Sequence, residues 1–484
     1  MQLPHGIGPF HIVGIGGIGM SAIAEVMLAR GYKVQGSDLK DSANTQRLRE
    51  KGAKIFIGHE AENIADAAYV VISTAVKPGN PEYDAARAQG HPIIRRAEML
   101  AELMRSKSTI SITGTHGKTT TTSLVSTLLE EAEVDPTVIN GGIINRWKSN
   151  ARIGNGEWMI VEADESDGTF VKLPTQIGIV TNIDPEHLDY YGSVEGMHAA
   201  FQKFFAQIPF YGLTVACIDH PVVRQMVEQR RGMESPGRIL TYGEAADADI
   251  RLENLRADGA GMVFDVILGG AMNGHSGRME DVRLSVPGLY NALNALATIA
   301  VSMELNIPDH VTRNALAGFG GVKRRFTNTG QWNDISFYDD YAHHPVEISS
   351  VLKASSNVTK GRVIAVMQPH RYTRLQSLFE DFCGCFGDAD AVVIAPVFAA
   401  GEDPIIGFGQ NELVSGIQAT GHKDVLSVSS LEELTGWLSK FAEPGDLVIG
   451  LGAGSITEWS HALPGALISQ VQPAASLNQA GVGA

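Results

Sequence analysis

Ser108 to Thr122 reads STISITGTHGKTTTT, and this stretch decides the fold of the middle of the chain. Its first six residues predict a strand, whereas the residues after Gly117 predict a helix. Between the two, backbone N–H groups and the start of a helix can surround a phosphate, and Lys118 adds a full positive charge. The stretch therefore predicts a phosphate loop, and we expect ATP to contact Gly114, Thr115, His116, Gly117, Lys118, Thr119 and Thr120.

One position departs from the usual phosphate-loop pattern. Ile112 stands where that pattern has a glycine, so an ordinary glycine-rich turn between strand and helix is the alternative interpretation. Thr119 follows the lysine directly, and its hydroxyl is placed to bind a magnesium ion next to the phosphates.

A second glycine-rich loop lies near the start of the chain. Gly14 to Gly19 reads GIGGIG between a predicted strand and a predicted helix, and Asp38 ends the next strand. This spacing fits the fingerprint of loops that hold a pyrophosphate beside a ribose. The loop alone leaves a nicotinamide cofactor, a flavin and a nucleotide sugar open.

The chain alternates short apolar runs with helical stretches, which is typical of parallel sheets covered by helices. We predict an α/β protein of three domains: an N-terminal Rossmann-like domain over 1–107, a central phosphate-loop ATPase domain over 108–320 and a C-terminal Rossmann-like domain over 321–470. Residues 245–283 alternate like β-strands and predict an insertion or edge layer. The small, polar residues 471–484 predict a disordered tail.

Composition limits the partners. The formal net charge of −16 opposes binding to nucleic acid or to an acidic membrane surface. The three cysteines, Cys217, Cys383 and Cys385, lack the spacing of a zinc site and are interpreted as structural. The first residues have no signal-peptide pattern and no run of about 18 apolar residues occurs, so we expect a cytoplasmic protein without a membrane segment.

Acidic side chains follow two strands of the central block. The segment EADESDG begins at Glu162, and TNIDPEH ends at His187. The carboxyl ends of parallel strands share one edge of a sheet, where parallel-sheet enzymes place their sites. The first segment offers hard oxygen ligands for magnesium beside the phosphate loop, at Glu162, Asp164, Glu165 and Asp167, and a solvated acidic loop is the alternative. The second strand end offers Asp184, His187 and Asp189, and a structural role for the histidine is the alternative there.

The third block carries two polar motifs at strand ends. DDYAHHP spans Asp339–Pro345 and QPHRYTR spans Gln368–Arg374. Arg371 and Arg374, three residues apart, are expected to grip a carboxylate or phosphate from one helical face. The alternative is a surface salt-bridge cluster. GVKRRF, at the join of the second and third blocks, is expected to act as a hinge.

These motifs together resemble the Mur ligases of bacterial cell-wall synthesis. The resemblance extends to about Leu463 and rests on eight motifs: GIGGIGMSAIAE, TGTHGKTTTT, EADESDGTF, TNIDPEHLDYY, the asparagines Asn291 and Asn294, GVKRRF, DDYAHHP and QPHRYTR. It implies that the first domain binds a UDP-sugar, the second ATP and two magnesium ions, and the third the amino acid. One departure is Tyr290, where relatives usually have histidine.

The resemblance also assigns roles to residues of this chain. It implies UDP-sugar contacts by Gly16, Gly17, Ile18, Asp38, Ser73 and Thr74, and further ATP contacts by Asn291, Arg325 and Asp340. It places the substrate amino acid and sugar near Tyr341, His343, His370, Arg371 and Arg374. Lys118 would contact the β and γ phosphates, and His343 is the candidate for the group that takes a proton from the amine. The resemblance also implies that Thr119 and Glu162 bind the first magnesium ion and that His187 binds the second.

The implied reaction joins L-alanine to the lactyl carboxylate of UDP-N-acetylmuramate through an acyl phosphate, and releases ADP and phosphate. That reaction belongs to peptidoglycan precursor synthesis, and through it to cell shape and cell division. A tripeptide-adding ligase of the same family, an NAD-dependent oxidoreductase and a non-catalytic nucleotide switch are the alternatives. The sequence leaves open whether the chain is a monomer or weak homodimer, how strictly alanine is preferred, and whether Lys203 is modified.

Overall fold

The computed structural model describes residues 6–269 and 277–471. The predicted disordered tail, apart from the helical Val471, and part of the predicted insertion lie outside the described residues. The structure has three sheets flanked by helices, and most strands are parallel. The α/β class predicted from the alternating pattern is therefore confirmed.

The first sheet contains five parallel strands in the order β3-β2-β1-β4-β5. Its strands are β1 (Phe10–Val13), β2 (Val34–Asp38), β3 (Lys54–Ile57), β4 (Tyr69–Ile72) and β5 (Ile93–Arg95). Its helices are α1 (Ile18–Ala29), α2 (Ala43–Glu50), α3 (Pro81–Gln89) and α4 (Arg96–Met104). The strand order reverses between β1 and β4, so the loops after these two strands open onto one crevice.

The second sheet contains ten strands in the order β15-β14-β13-β12-β11-β10-β6-β9-β7-β8. They are β6 (Ser108–Thr113), β7 (Thr137–Ile144), β8 (Ser149–Arg152), β9 (Trp158–Glu162), β10 (Ile177–Val180), β11 (Leu213–Cys217), β12 (Arg238–Gly243), β13 (Ile250–Asp258), β14 (Gly261–Leu268) and β15 (Gly277–Leu284). The helices are α5 (Lys118–Glu131), α6 (Leu188–Tyr191), α7 (Val194–Gln207), α8 (Pro221–Arg231), α9 (Leu289–Glu304) and α10 (Asp309–Ala317). The β segment predicted over residues 245–283 lies at the edge of this sheet, as predicted, whereas β7, β8 and β12 were not predicted.

The third sheet contains six strands in the order β16-β17-β21-β18-β19-β20. They are β16 (Thr327–Trp332), β17 (Ile335–Asp340), β18 (Val363–Met367), β19 (Ala391–Ile394), β20 (Val425–Ser427) and β21 (Leu447–Leu451). Its helices are α11 (Pro345–Val358), α12 (Tyr372–Ser377), α13 (Phe379–Gly384), α14 (Gln410–Ala419), α15 (Leu431–Phe441) and α16 (Ile456–Val471). The strands β17, β18, β19 and β21 bury apolar side chains on both faces, as parallel strands between two helical layers do.

The chain forms two compact units. Of the residues that the structure describes, the first unit contains 6–254, 264–269, 277–283 and 293–322, and the second contains 255–263, 284–292 and 323–471. All three cysteines are buried and unpaired, consistent with a structural role. Among the helices that the structure describes, none is both long and apolar enough to cross a membrane.

Candidate active site

The predicted phosphate loop joins β6 to α5. Gly117 precedes the helix with a φ of 83°, and Gly114 has a φ of 132°. A Cβ atom on Gly114 would lie 2.1 Å from the hydroxyl oxygen of Thr181, so the loop is packed tightly against the end of β10. The N–H of His116 donates to Asn182 Oδ1 at 2.7 Å. Glycine is therefore required by both backbone conformation and space.

Lys118 lies inside this loop and pairs with Glu165, one of the four acids that the sequence offers beside the loop. Its Nζ is 2.7 Å from Oε2 and 2.8 Å from Oε1 of Glu165, and it also donates to the carbonyls of Gly114 and Thr115. Burial lowers the pKa of Lys118, but the negative charges of Glu165 and its acidic neighbours outweigh burial and raise it. Lys118 is therefore fully charged at neutral pH.

Glu162 lies beside the loop because β9 pairs with β6 in a register that sets Glu162 against Ile112. Its carboxylate accepts the N–H of Gly141 at 2.7 Å and hydrogen-bonds to the side chain of Thr119. Burial raises the pKa of Glu162, while the charge of Lys118 lowers it. The structure thus brings together two of the predicted magnesium ligands, Thr119 and Glu162.

The third predicted ligand, His187, lies in a different cluster. Ligand atoms of Glu165, Glu186 and His187 all lie within 4.8 Å of one another. Carboxylate oxygens suit magnesium, whereas an imidazole nitrogen is a ligand that zinc, copper, iron and nickel prefer. Thr119 and Glu162 therefore offer oxygen ligands for a cation beside the phosphate loop, and Glu165 and Glu186 are additional candidates near His187.

The N-terminal glycine loop lies at the switch point of the first sheet. The N–H of Gly16 donates to Asp38 Oδ2 at 2.9 Å, and a Cβ on Gly16 would lie 2.8 Å from that oxygen. Asp38 therefore fixes the loop, and its predicted contact with the UDP-sugar stays a prediction. Ser73 and Thr74 follow β4 at the same edge of the sheet.

In the second compact unit, Asp340 ends β17 and is buried. Its carboxylate accepts the N–H groups of Phe326 at 2.7 Å and Ala342 at 2.8 Å. Burial raises the pKa of Asp340 to about 6 against the opposing charge of Arg325. Asn291 donates to the carbonyl of Pro287 at 2.7 Å, while its Oδ1 is buried and has no hydrogen-bond partner among the residues that the structure describes. That free acceptor suits a donor such as the amino group of adenine.

Four of the predicted substrate residues form one cluster in the second unit. The rings of His343 and His370 are 5.9 Å apart, and that of Tyr341 is 5.2 Å from His343. Arg374 Nη1 lies 3.4 Å from His370 Nδ1. Burial lowers the pKa of His370 to about 4, assisted by the positive charges nearby, so its ring is neutral at neutral pH. The ring also stacks on Phe398 at 5.4 Å.

The prediction for Arg371 was wrong in one respect. Arg371 does not lie on a helical face with Arg374, because it precedes α12 with a φ of 69° and a ψ of 137°. Its N–H donates to the carbonyl of Phe398 at 2.9 Å, which holds this extended turn. The side chains of Arg371 and Arg374 therefore start from different backbone conformations, one before the helix and one within it.

Several residues of the site carried no sequence signal that was recognised. Glu347 accepts the N–H of His343 at 3.1 Å, and the guanidinium of Arg324 lies 4.8 Å from the ring centre of Tyr341. Asn294 lies against the phosphate loop, since a Cβ on Gly117 would be 2.8 Å from its Oδ1. The spacing of Asn294 from Asn291 on one helix is the sequence signal that could have assigned Asn294 to the site.

Three family models match the chain in succession. They are the catalytic domain of the Mur ligase family over residues 9–108, the Mur ligase middle domain over 112–302 and the glutamate ligase domain over 324–454. The chain is 57% identical over 470 residues to a protein of Methylobacterium radiotolerans named UDP-N-acetylmuramate–L-alanine ligase, covering 97% of this chain and 100% of the relative. A relative of the same name from Bradyrhizobium diazoefficiens is 57% identical over 467 residues, covering 96% of this chain and 99% of the relative.

Solved structures agree with these relatives. The crystal structure of UDP-N-acetylmuramate-alanine ligase from Thermotoga maritima has a TM-score of 0.79 and 30% identity, covering 96% of this chain and 100% of that one. A murein peptide ligase from Psychrobacter arcticus has a TM-score of 0.67 at 23% identity, covering 95% and 98%, and supports the fold. The glycine-rich loop, the acidic strand ends and the whole-length matches lead to one conclusion: the chain belongs to the Mur ligase family.

Proposed function

We propose that this chain is an ADP-forming ligase that joins L-alanine to the lactyl carboxylate of UDP-N-acetylmuramate. The observation that carries the proposal is the phosphate loop, in which Lys118 is held beside Glu162 and Glu165. A lysine in this position can neutralise a transferring phosphate, and the acids beside it can hold cations. The names of the relatives, at 57% identity over nearly the whole chain, specify the substrates.

The proposed reaction follows from charge. A carboxylate is a poor electrophile, and its oxygen must attack a γ-phosphate surrounded by negative oxygens. Lys118 reduces this repulsion by exchanging its bonds to Glu165 and the loop carbonyls for bonds to phosphate. Magnesium, when bound by residues such as Thr119, Glu162 and His187, supplies further positive charge. The acyl phosphate forms as ADP leaves, and the amine of alanine then displaces phosphate to give the amide.

His343 is proposed to accept the proton of the alanine amine. Its Nδ1 lies 3.0 Å from the carbonyl oxygen of Tyr341, and this contact favours a proton on Nδ1 and a free acceptor at Nε2. The neighbouring His370 is held neutral, so it does not repel the ammonium group of the incoming amino acid. Arg371 and Arg374 are proposed to bind carboxylate or phosphate groups of the substrates.

The test measures phosphate release by the purified chain with ATP, Mg²⁺ and UDP-N-acetylmuramate, with and without L-alanine. The proposal predicts release that depends on both the UDP-sugar and alanine, and a product heavier by one alanine residue. The tripeptide L-alanyl-γ-D-glutamyl-meso-diaminopimelate is the matched alternative acceptor. Turnover with the tripeptide in place of alanine would assign the chain to the recycling reaction, and NADH binding without phosphate release would reject ligase activity.

A further inference from the structure

Arg96 has no role in the proposed reaction, although it lies between the N-terminal glycine loop and the acidic segment after β9. It is the first residue of α4, next to the sheet of the N-terminal glycine loop, and its side chain reaches the acidic segment after β9. Its Nη2 is 3.3 Å from Asp167 Oδ2 and 3.5 Å from Asp164 Oδ2. On the other side, a Cβ on Gly19 would lie 3.0 Å from Arg96 Nη1. One guanidinium therefore faces both the glycine-rich loop and the acidic segment.

The two aspartates present matching oxygens to Arg96. Asp164 Oδ1 accepts the N–H of Ser166 at 3.1 Å, and Asp167 Oδ1 accepts the N–H of Thr169 at 3.1 Å. In each carboxylate the other oxygen, Oδ2, points to the guanidinium. The side chain of Asp167 is 8% exposed and that of Arg96 is 26% exposed, so this ion pair is less screened by water than a surface pair.

The segment held by Arg96 carries the groups of the ATP site. Glu162 at its start hydrogen-bonds to Thr119, and Glu165 in its middle pairs with Lys118. Residues 163–168 contain no helix or strand, and side-chain contacts position them together with the hydrogen bond from the N–H of Ala163 to the carbonyl of Ile112. Asp164 is adjacent to Glu165, and Asp167 is separated from it by one residue, so a displacement of either aspartate would be passed to Glu165.

We propose that Arg96 is a positioning residue that couples binding of the UDP-sugar to binding of the nucleotide and its metal. The inference rests on the proposed function, because it takes the ligand of Gly16–Gly19 to be a UDP-sugar. A diphosphate on that loop would accept a hydrogen bond from the Nη1 side of the guanidinium, while the Nη2 side keeps the aspartates. A planar group with two arms can do both at once, whereas the single ammonium of lysine cannot.

The coupling is measured by calorimetric titration of UDP-N-acetylmuramate with and without saturating Mg²⁺ and a non-hydrolysable ATP analogue. For the unmodified chain we expect the analogue to tighten UDP-sugar binding by at least about fivefold. By linkage the UDP-sugar must tighten analogue binding by the same factor. In Arg96→Lys the charge is kept but the factor falls close to one, and Arg96→Ala behaves in the same way.

Two control variants separate coupling from a general loss of structure. Lys172→Ala removes the ion pair of 3.5 Å between Lys172 and Glu98. This pair also involves a residue of α4, but it does not include a residue of the acidic segment 162–168. Arg95→Ala removes the neighbouring exposed charge. Both should keep the full coupling factor, and thermal unfolding shows whether Arg96→Lys is folded.

Each outcome decides the inference. If Arg96→Lys and Arg96→Ala keep the coupling factor of the unmodified chain, Arg96 has no positioning role, whatever its effect on the melting temperature. If the unmodified chain binds UDP-N-acetylmuramate without any coupling, the inference fails while the proposed function stands. If it binds no UDP-sugar at all, the proposed function fails.

Discussion

The ion pair between Lys118 and Glu165 predicts a specific pattern of stability. The side chains are 13% and 2% exposed, and both carboxylate oxygens are within 2.8 Å of Nζ. Lys118→Met leaves the Glu165 carboxylate buried without its cation, which costs about 3–5 kcal/mol. Glu165→Gln in the same chain removes that stranded charge. The double variant should therefore be more stable than Lys118→Met alone, by about 2 kcal/mol.

Urea unfolding of the unmodified chain, the two single variants and the double variant, without nucleotide, gives the coupling free energy between Lys118 and Glu165. Phosphate release is measured on the same samples, and we expect none from either variant that lacks Lys118, however stable it is. Lys172→Met, at a half-exposed ion pair, is the control and should change stability by less than about 1 kcal/mol. Equal stability of Lys118→Met and the unmodified chain, or strictly additive effects in the double variant, would refute the account of this pair.

Three further predictions concern the loop, the metal and pH. Gly114→Ala would force a Cβ to within 2.1 Å of Thr181 Oγ1 at a φ of 132°. We therefore expect backbone strain of about 1–3 kcal/mol and loss of ATP-analogue binding. Normal analogue binding in a titration would contradict this prediction. Glu162→Gln should raise the half-saturating magnesium concentration by at least about tenfold, and an unchanged magnesium titration would remove Glu162 from the metal site. Burial lowers the pKa of His370 to about 4 in the folded chain. As pH falls from about 6.5 to 4, the unfolded chain therefore takes up a proton at this residue before the folded chain does. The free energy of unfolding should fall by up to about 3 kcal/mol over that range. His370→Gln should flatten this part of a thermal-melting profile against pH, and a profile with the same slope would show that His370 does not cause it.

The features that follow local rules could be predicted from the sequence. A strand, two glycines and a lysine at the start of a helix specify a phosphate loop because the backbone geometry of such a junction is set by nearest neighbours. The same holds for the glycine-rich loop at Gly14–Gly19. The position of Glu162 could also be predicted, because it ends a strand that pairs with the strand of the loop.

The features set by tertiary contacts could not be predicted. Whether Glu162 or Glu165 pairs with Lys118 depends on the irregular turn after β9, for which the sequence has no periodic signal. Arg96 meets Asp164 across 68 residues of chain, and nothing in the local sequence marks that contact. Arg371 was placed on a helix from its spacing alone, but a hydrogen bond to the backbone of Phe398 holds it in an extended turn.

The central claim is that a carboxylate accepts the γ-phosphate at the Lys118 loop before the amine attacks. The direct measurement uses UDP-N-acetylmuramate labelled with ¹⁸O in its lactyl carboxylate, together with ATP, Mg²⁺ and L-alanine, and mass analysis of the phosphate released. The account predicts that each phosphate carries one oxygen atom from the labelled carboxylate. Phosphate without the label, released together with amide product, would contradict it.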